Sequence, residues 1–216
     1  MGSQLVQIIV LAAVAVFLVL RLRGVLGTRE GFEDTTKPAP VTAGNKKPKF
    51  DVIDGGGKDY DISDHIDVES ESGKALAAMK RVEPDFSVSE FTHGARQAYE
   101  MILMAFENGD LAFLEQYLAP DVYESFSSVI TARADKGLSV EANFIGVSGV
   151  KLHEARFDVE NREAEITMKF VGELTSVVRD ESGEVVEGSA TAVKKQSDVW
   201  TFARLMGGGN PNWLLV

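Results

Sequence analysis

The alternation of apolar and polar positions divides the chain into three parts. The first part carries no charged side chain from Met1 to Leu20, and it is apolar from Leu5 onward except for Gln7. A helix rises about 1.5 Å per residue, so about twenty residues cross the roughly 30 Å hydrocarbon core of a bilayer. The pattern predicts a transmembrane anchor over residues 1–22.

Positive charge directly after this stretch predicts its orientation. Only the α-amino group precedes it, whereas Arg21, Arg23 and Arg29 follow it. Lys and Arg close to a span stay on the cytoplasmic side, so we expect these arginines at the membrane surface and the body in the cytoplasm. Two alternatives are a cleaved signal peptide, although no basic n-region or A-x-A site is present, and a buried helix of a soluble domain.

The second part, residues 23–72, has the composition of a flexible acidic linker. Pro and Lys dominate its first half, and residues 50–71 hold eight acidic side chains and one lysine. Such a segment buries too little apolar surface to offset the entropy of ordering. The few large apolar residues either dock a partner or are simply scattered. They are Phe50, Ile53, Tyr60, Ile62 and Ile66.

The third part, residues 73–216, begins with helical periodicity. Ser87 and Glu90 match a capping box, and apolar residues then recur at helical spacing from Phe91 to Phe106. Further helix boundaries are predicted from turn and capping residues. These are Gly109, Asp110, Pro120 and Gly137.

The rest of this part shows the two-residue period of strands. Apolar and polar residues alternate over 164–174, and residues 198–204 place Trp200 and Phe202 on one face. A turn is predicted at 181–184, and bulges at Gly146 and Gly149 bend the sheet. Helices followed by long antiparallel strands predict an α+β fold, with helices packed on a curved antiparallel sheet.

Composition limits the covalent bonds, ligands and partners that the chain can have. The chain has no Cys and a net charge of −11, which excludes disulfides and argues against nucleic-acid partners. His65 lies among Asp61, Asp64 and Asp67, and this run is either a loose cation site or a solvated acidic coil. No catalytic motif is present, and we predict no metal and no cofactor.

Carboxylates near the predicted strands are the remaining catalytic candidates. Asp158, Asp198 and Arg204 are the polar groups concerned, and Asp198 shares a predicted face with Arg204. An enzyme would bury one of these carboxylates with a raised pKa, whereas a structural role needs only a pair at the rim of the sheet.

Aromatic and basic residues are the binding candidates. The aromatic side chains either line a pocket or fill the core, and the amphipathic segment Lys74–Arg81 lies on a membrane, on a partner or on the domain itself. The aromatic candidates are Tyr99, Phe106, Tyr123, Phe126, Trp200, Phe202 and Trp213. The candidates for the membrane surface are Arg21, Arg23, Arg29, Lys74, Lys80 and Arg81.

Segments in sequence order along residues 85–216 resemble the Tim forty-four-like domain family. They are 95–102, Phe106, 109–110, 118–126, 173–178, 198–204 and 210–215. The family includes the inner-membrane anchor of the mitochondrial import motor, a mitochondrial ribosomal protein, and bacterial proteins with an N-terminal span. The resemblance implies a cone of helices on a curved sheet, as in nuclear transport factor two-like folds, with an apolar pocket.

The resemblance implies a membrane-tethered adaptor rather than an enzyme. We expect the protein in a bacterial inner membrane, single-pass, with its C-terminal domain in the cytoplasm. The domain would bind membrane-associated proteins or the lipid surface, in protein translocation or membrane-protein handling. The alternatives are a cone-fold domain binding a small apolar ligand, as an isomerase- or dehydratase-like enzyme does, and a domain beside membrane-bound ribosomes. The sequence does not predict the oligomeric state.

Overall fold

The computed structural model describes residues 59–216, which form helices followed by strands. The helices are α1 (Tyr60–Ser63), α2 (Glu71–Val82), α3 (Val88–Asn108), α4 (Leu111–Tyr117) and α5 (Pro120–Ala134). The strands are β1 (Ser139–Asp158), β2 (Glu163–Arg179), β3 (Val185–Leu205) and β4 (Leu214–Leu215). The predicted anchor over residues 1–22 and the linker as far as residue 58 lie outside the described residues. Among helices α1 to α5, none is long and apolar enough to cross a bilayer.

Capping residues set the limits of α3 and α4 where the sequence predicts them. The Ser87 hydroxyl accepts a hydrogen bond from the Glu90 amide at 3.2 Å, which begins α3. Gly109 ends α3 in the left-handed conformation, with φ of 72°. The Asp110 carboxylate then accepts from the Phe113 amide at 3.0 Å and begins α4. These local bonds satisfy amides that the first turn of a helix leaves unpaired.

The four strands form one antiparallel sheet in the order β1-β2-β3-β4. The register between β1 and β2 shifts between Phe144 and Gly146 and again between Val147 and Gly149. The predicted bulges are therefore present, and such bulges bend a strand. The α+β class with helices on a curved antiparallel sheet is confirmed for the described residues.

Alternation along β2 builds the core. Ala164, Ile166, Met168 and Phe170 are all fully buried, while the residues between them are more exposed. Helices α2 and α3 pack on the sheet, chiefly on β1. Burial of apolar area on one face of a sheet is the main stabilising contribution in such a layered domain.

Residues 59–72 are part of this folded unit, which corrects the linker predicted over 23–72. Ile62 in α1 is 2% exposed and belongs to the core cluster, and Ile66 packs against that cluster. The side chain of Ser70 caps α2 by accepting from the Gly73 amide at 3.0 Å. The acidic composition of these residues indicates a linker. The side chains that hold them in the fold lie far along the chain, where local sequence patterns do not show the contact.

Asp61 shows how distant those partners are. Its carboxylate accepts from the Val88 and Ser89 amides at 2.8 and 2.9 Å, from the Ser87 hydroxyl at 3.0 Å and from Lys80 Nζ at 3.0 Å. Burial acts to raise the pKa of Asp61, but the amide hydrogen bonds outweigh it and hold the pKa well below its usual range. A residue assigned to the linker therefore completes the cap of α3.

Candidate functional site

One face of α3 borders an open groove of about 380 Å³, which we call the groove. Its other side is formed by the segment before α3 and by the C-terminal end of the sheet. The floor is aromatic, the α3 wall has small side chains and a methionine, and the rim is charged. The floor is Phe86, Phe91, Phe202 and Trp213; the wall includes Gly94, Ala95, Ala98 and Met101; the rim includes Glu83, Asp85, Glu90 and Arg204.

The floor is held by packing between rings. The Phe91 ring lies 4.7 Å from the Trp213 ring and 6.0 Å from the Phe202 ring, both in edge-on geometry. Phe86 lies 6.4 Å from Phe91 and 6.0 Å from Trp213. Edge-to-face pairs of this kind add to the burial of apolar area. The floor is therefore preformed, and three of its rings belong to the core: Phe86, Phe91 and Phe202 are less than 9% exposed, whereas Trp213 is half-buried.

The start of α3 explains why Phe86 and Phe91 meet. Ser87 is the N-cap, so Phe86 stands one residue before it and Phe91 is the fourth helical residue. Apolar residues at these two positions form a hydrophobic staple, which fixes the angle at which the chain enters a helix. Sequence reasoning omitted both residues from the binding candidates, although this pattern around the capping box was visible.

Arg204 joins the floor to the rim. Its guanidinium lies 5.0 Å from the centre of the Trp213 ring, and its Nη2 donates to Glu83 Oε1 at 2.8 Å. The Gly207 amide donates to Glu83 Oε2 at 3.0 Å. The Gly207 amide and the Arg204 guanidinium hold the pKa of Glu83 below its ordinary value. The Arg204 side chain is 8% exposed, so this charge pair is a fixed part of the rim.

Asp85 and Glu90 differ from Glu83, although they share the same rim. Both are exposed, and neither makes an ion pair within residues 59–216. The lining residues thus hold three carboxylates against the single guanidinium of Arg204. With Glu83 and Arg204 paired to each other, the free charge of the rim is negative.

A second polar centre lies inside the domain rather than at the groove. The hydroxyl of the fully buried Tyr99 donates to Asp198 Oδ2 at 2.6 Å, and Gln196 Nε2 donates to the same oxygen at 2.9 Å. Burial, followed by the nearby Asp198 carboxylate, raises the pKa of Tyr99 well above its ordinary range. Tyr99 therefore remains a neutral donor at physiological pH.

The catalytic candidates are not brought together. Asp198 bonds Tyr99, Arg204 bonds Glu83, and the contact considered between Asp198 and Arg204 is not formed. Asp158 is exposed in the β1–β2 turn, where the Asn161 amide and side chain lower its pKa. Neither aspartate lines the groove. The alternative of an isomerase- or dehydratase-like site is therefore not favoured.

The histidines and the acidic residues near His65 either contact neighbouring protein groups or are exposed. His65 Nε2 lies 3.1 Å from the Ser89 hydroxyl, and Asp67 accepts from the Glu69 amide at 3.0 Å. His93 and His153 are exposed. Across residues 59–216, no three side chains of the metal-ligating types are grouped closely enough to hold an ion.

The seven aromatic candidates separate into three locations. Trp213 lies half-buried at the groove, and Phe202, which is 2% exposed and belongs to the core, lines the groove from below. Tyr99 and Trp200 pack in the core with ring centres 4.8 Å apart. Phe106 and Phe126 meet at 4.9 Å between α3 and α5, and half-buried Tyr123 also packs against the core.

The basic candidates separate in a similar way. Helix α2 buries Leu76 and Met79 against the domain, so its apolar face is not free for a membrane. Lys80 pairs with Asp59 at 2.8 Å and with Asp61 at 3.0 Å, and Lys74 pairs with Glu71. Arg81 is exposed. The candidates Arg21, Arg23 and Arg29 lie outside the described residues.

The chain is similar to subunits of a mitochondrial translocase. It is 22% identical over 148 residues to the mitochondrial import inner membrane translocase subunit TIM44-1 of Arabidopsis thaliana, covering 68% of this chain and 31% of that protein. It is 26% identical over 137 residues to the human subunit TIM44, covering 63% of this chain and 30% of that protein. The chain thus matches only about three tenths of the length of these curated relatives.

Two further comparisons concern the domain. A solved structure, the intermembrane space region of the chloroplast protein ARC6, aligns with a TM-score of 0.33 and 9% identity, covering 56% of this chain and 92% of that one. The family description "Tim44-like domain" matches residues 72–216, which is most of the chain. The described α+β unit and this match together identify the chain as a member of the Tim44-like domain family.

Proposed function

We propose that this protein is a membrane-tethered adaptor whose domain binds a membrane-associated protein through the groove. The observation that carries the proposal is the groove itself, a preformed aromatic floor beside two carboxylates that pair with no described cation. The groove offers apolar contact area at Trp213, Ala98 and Met101, which are at least partly exposed, and charge selectivity at its rim; these are the components of a protein-binding site.

The family supports the coarse part of this proposal. The relatives named above are subunits of a mitochondrial import inner membrane translocase, so membrane-linked translocation is the setting of this kind of domain. We extend this setting to the present chain as an adaptor role in protein translocation or membrane-protein handling. No cofactor or metal enters the proposal.

The anchor is a separate element of the proposal. We propose that residues 1–22 cross the membrane once, with Arg21 and Arg23 on the cytoplasmic side together with the domain. Placing this arrangement in a bacterial inner membrane is part of the same proposal. Tethering raises the effective concentration of the domain near membrane partners, so a weak groove contact is sufficient.

A photo-crosslinking experiment in native membranes tests the adaptor role. A photoreactive amino acid replaces Met101, which lines the groove and is 43% exposed. The matched control replaces Val159, which is 66% exposed and lies in the β1–β2 turn. We expect discrete protein adducts from position 101 and not from position 159. Equal labelling at both positions, or labelling of lipid alone at position 101, would contradict the proposal.

Protease protection tests the topology. In sealed membrane vesicles of known orientation, the domain should be digested only when the cytoplasmic face is exposed. Intact protein should also remain in the membrane after an alkaline wash. Release of a shortened chain from the membrane would instead favour a cleaved signal peptide.

A further inference from the structure

We propose that the sheet face opposite the helices binds a second copy of this chain, with a two-fold axis that runs across the strands. This inference goes beyond the groove, which lies on the helix side of the sheet, where Phe202 joins the core. It follows from the strand register and from the order of charged and apolar residues along the opposite face.

The strand register assigns the residues of this face. Residues directly opposite each other on antiparallel strands share a face, and successive residues of a strand alternate between faces. The hydroxyls of Thr167 and Thr201, which are register partners, meet at 2.9 Å on the face away from the core. We call this the outer face. It consists of the residues that flank, along their strands, a central row formed by Ala155, Ile166, Phe202 and Leu215.

Apolar side chains of the outer face are accessible, unlike those of the central row. Leu205, Leu214 and Val216 are 61%, 37% and 43% exposed, whereas no residue of the central row exceeds 4%. These three residues do not belong to the core cluster. They therefore offer apolar contact area to a partner without any change in the core.

Two pairs of like charge lie at opposite ends of the outer face. Lys151 is directly opposite Lys169, and Asp158 is directly opposite Glu163. All four side chains are exposed, and across the described residues 59–216 none of them makes an ion pair. Like charges directly opposite on neighbouring strands are destabilising. The single copy thus carries two unfavourable pairs of opposite sign.

The two pairs are equally far from the central row. Lys169 and Glu163 each stand three residues from Ile166 on β2, a distance of about 10 Å at roughly 3.4 Å per residue. A two-fold axis along the central row therefore places Lys169 of one copy over Glu163 of the other. Lys151 and Asp158 meet across the axis as well, because they are the register partners of those residues.

The same axis matches the apolar residues. Val199 and Leu205 each stand three residues from Phe202, so they face each other across the two copies. Leu214 and Val216 flank the central row on the last strand and meet in the same way. One operation joins apolar with apolar residues and opposite charges with each other, as an isologous interface requires. A partner without this order of charges would leave a like-charge pair in place.

The contact is small, and tethering compensates for its size. Four strands about 4.8 Å apart and seven residues about 3.4 Å apart give a footprint of roughly 14 Å by 20 Å. This footprint lies below the area of a standard protein interface, so we expect weak association in solution. Anchoring of both copies to one membrane, which is part of the proposed function, raises their effective concentration.

Thiol crosslinking in native membranes tests the axis. The chain has no cysteine, so an introduced cysteine is its only thiol. Two differently tagged copies are expressed together, one with Lys169→Cys and the other with Glu163→Cys. The reagent is a bis-maleimide that reaches about 10 Å, the spacing of packed sheets. We expect adducts that contain both tags.

The matched control carries Lys169→Cys in both tagged copies. The proposed axis separates these two positions by about 20 Å along the strands, beyond the reach of the reagent. Mixed-tag adducts should therefore be at least about fivefold less abundant in the control. Equal abundance in the two experiments, or no adduct from the Lys169→Cys and Glu163→Cys pair, would overturn the proposal.

Charge reversal separates association from folding, with Lys151→Cys and Asp158→Cys in the two copies as the reporter pair. Lys169→Glu in both copies puts like charges across the axis and should lower the mixed-tag adduct about fivefold. Adding Glu163→Lys to both copies restores opposite charges and should restore the adduct. Failure of this second reversal to restore the adduct would overturn the proposed contact.

Stability provides the readout that a merely structural role would move. In the chain without introduced cysteines, Lys169→Glu replaces a like-charge pair with Lys151 by an opposite-charge pair. Its denaturation midpoint in non-ionic detergent should therefore not fall, although association falls. A lower midpoint that accounts for the lost adduct would assign Lys169 to folding and overturn its role in the interface.

Failure of this inference is distinguishable from failure of the adaptor role. Protein adducts at position 101 without mixed-tag adducts would retain the adaptor and reject the interface. Mixed-tag adducts without any protein adduct at position 101 would retain the interface and reject the adaptor. Val159 is next to Asp158, so an adduct of position 159 with a second copy, recognised by its doubled mass, supports the interface and does not bear on the groove.

Discussion

Two groups of aromatic residues occupy neighbouring parts of the domain and have different surroundings. In the interior, Tyr99 stacks on Phe170 with ring centres 4.6 Å apart, and both residues are fully buried. At the groove, Phe91 meets Trp213 at a similar 4.7 Å, but Trp213 is only half-buried and the cavity above it is open. Ring packing alone therefore does not distinguish a core from a binding surface.

The polar groups beside each cluster make the distinction. The interior cluster has one buried hydroxyl, that of Tyr99, and Asp198 accepts its hydrogen bond. The groove cluster has Asp85 and Glu90, which pair with no cation in the described part of the chain. Satisfied polar groups stabilise a fold, whereas exposed and uncommitted charges are available to a partner.

The largest effect is expected from the interior ring that stacks on Tyr99. Phe170→Ala would remove a fully buried side chain and leave a cavity, so we expect a loss of about 4 kcal/mol in the free energy of unfolding. Val193→Ala is the control, because Val193 is 58% exposed and should change stability by less than about 0.5 kcal/mol. Chemical denaturation followed by the fluorescence of Trp200 and Trp213 measures both. A similar loss of unfolding free energy in the two variants would show that Phe170 is not part of a tightly packed interior.

A close approach within the interior gives the next effect. A Cβ atom on Gly172 would lie 2.6 Å from the Tyr99 hydroxyl oxygen, so Gly172→Ala must displace a ring that is packed on all sides. We expect a loss of about 2–3 kcal/mol from overpacking and from the disturbed bond to Asp198. Gly146→Ala is the matched control in β1, where an added Cβ meets nothing within 4 Å. Equal denaturation midpoints for the two variants would contradict the packing argument.

Local patterns made much of this fold predictable. Ser87, Gly109 and Asp110 act within a few residues of their own positions, so their capping roles are readable from the sequence. The alternation in β2 and the bulges near Gly146 and Gly149 follow from local rules in the same way.

Contacts between distant residues were not predictable. Asp61 binds amides 27 and 28 residues later, and Arg204 binds Glu83 across 121 residues. From the sequence alone, Asp61 is therefore predicted to be one charge in an acidic linker, and Arg204 is predicted to be a candidate partner of Asp198. Aromatic type alone also gave no indication that the seven candidates would divide among the interior, the groove and the contact between α3 and α5.

The cap on α3 supports both clusters, and its loss gives an intermediate effect. Asp61→Asn would remove a charge-assisted acceptor of four hydrogen bonds, so we expect a loss of about 2 kcal/mol. Asp64→Asn is the control, because Asp64 is exposed and three residues away. Denaturation of the full chain in detergent measures the difference. A cost for Asp64→Asn as large as for Asp61→Asn would attribute the effect to net charge.

The same carboxylate makes stability depend on acid pH. The folded-state pKa of Asp61 is depressed, so its contribution is complete above the unfolded value of about 3.9 and is lost as pH falls below it. Wild type should therefore lose more stability than Asp61→Asn between pH 5 and pH 3, both values being about one unit from that pKa. Denaturation midpoints across this range measure the effect. Parallel losses in the two proteins would contradict it.

The smallest effect on stability is expected at the rim of the groove. Asp85→Asn with Glu90→Gln removes two exposed charges that pair with no described cation, so the free energy of unfolding should fall by only about 0.5 kcal/mol. Part of this loss is the favourable position of Glu90 in the first turn of α3. A large loss of stability would instead make the rim a structural element, and it would remove the contrast between the groove and the sealed interior.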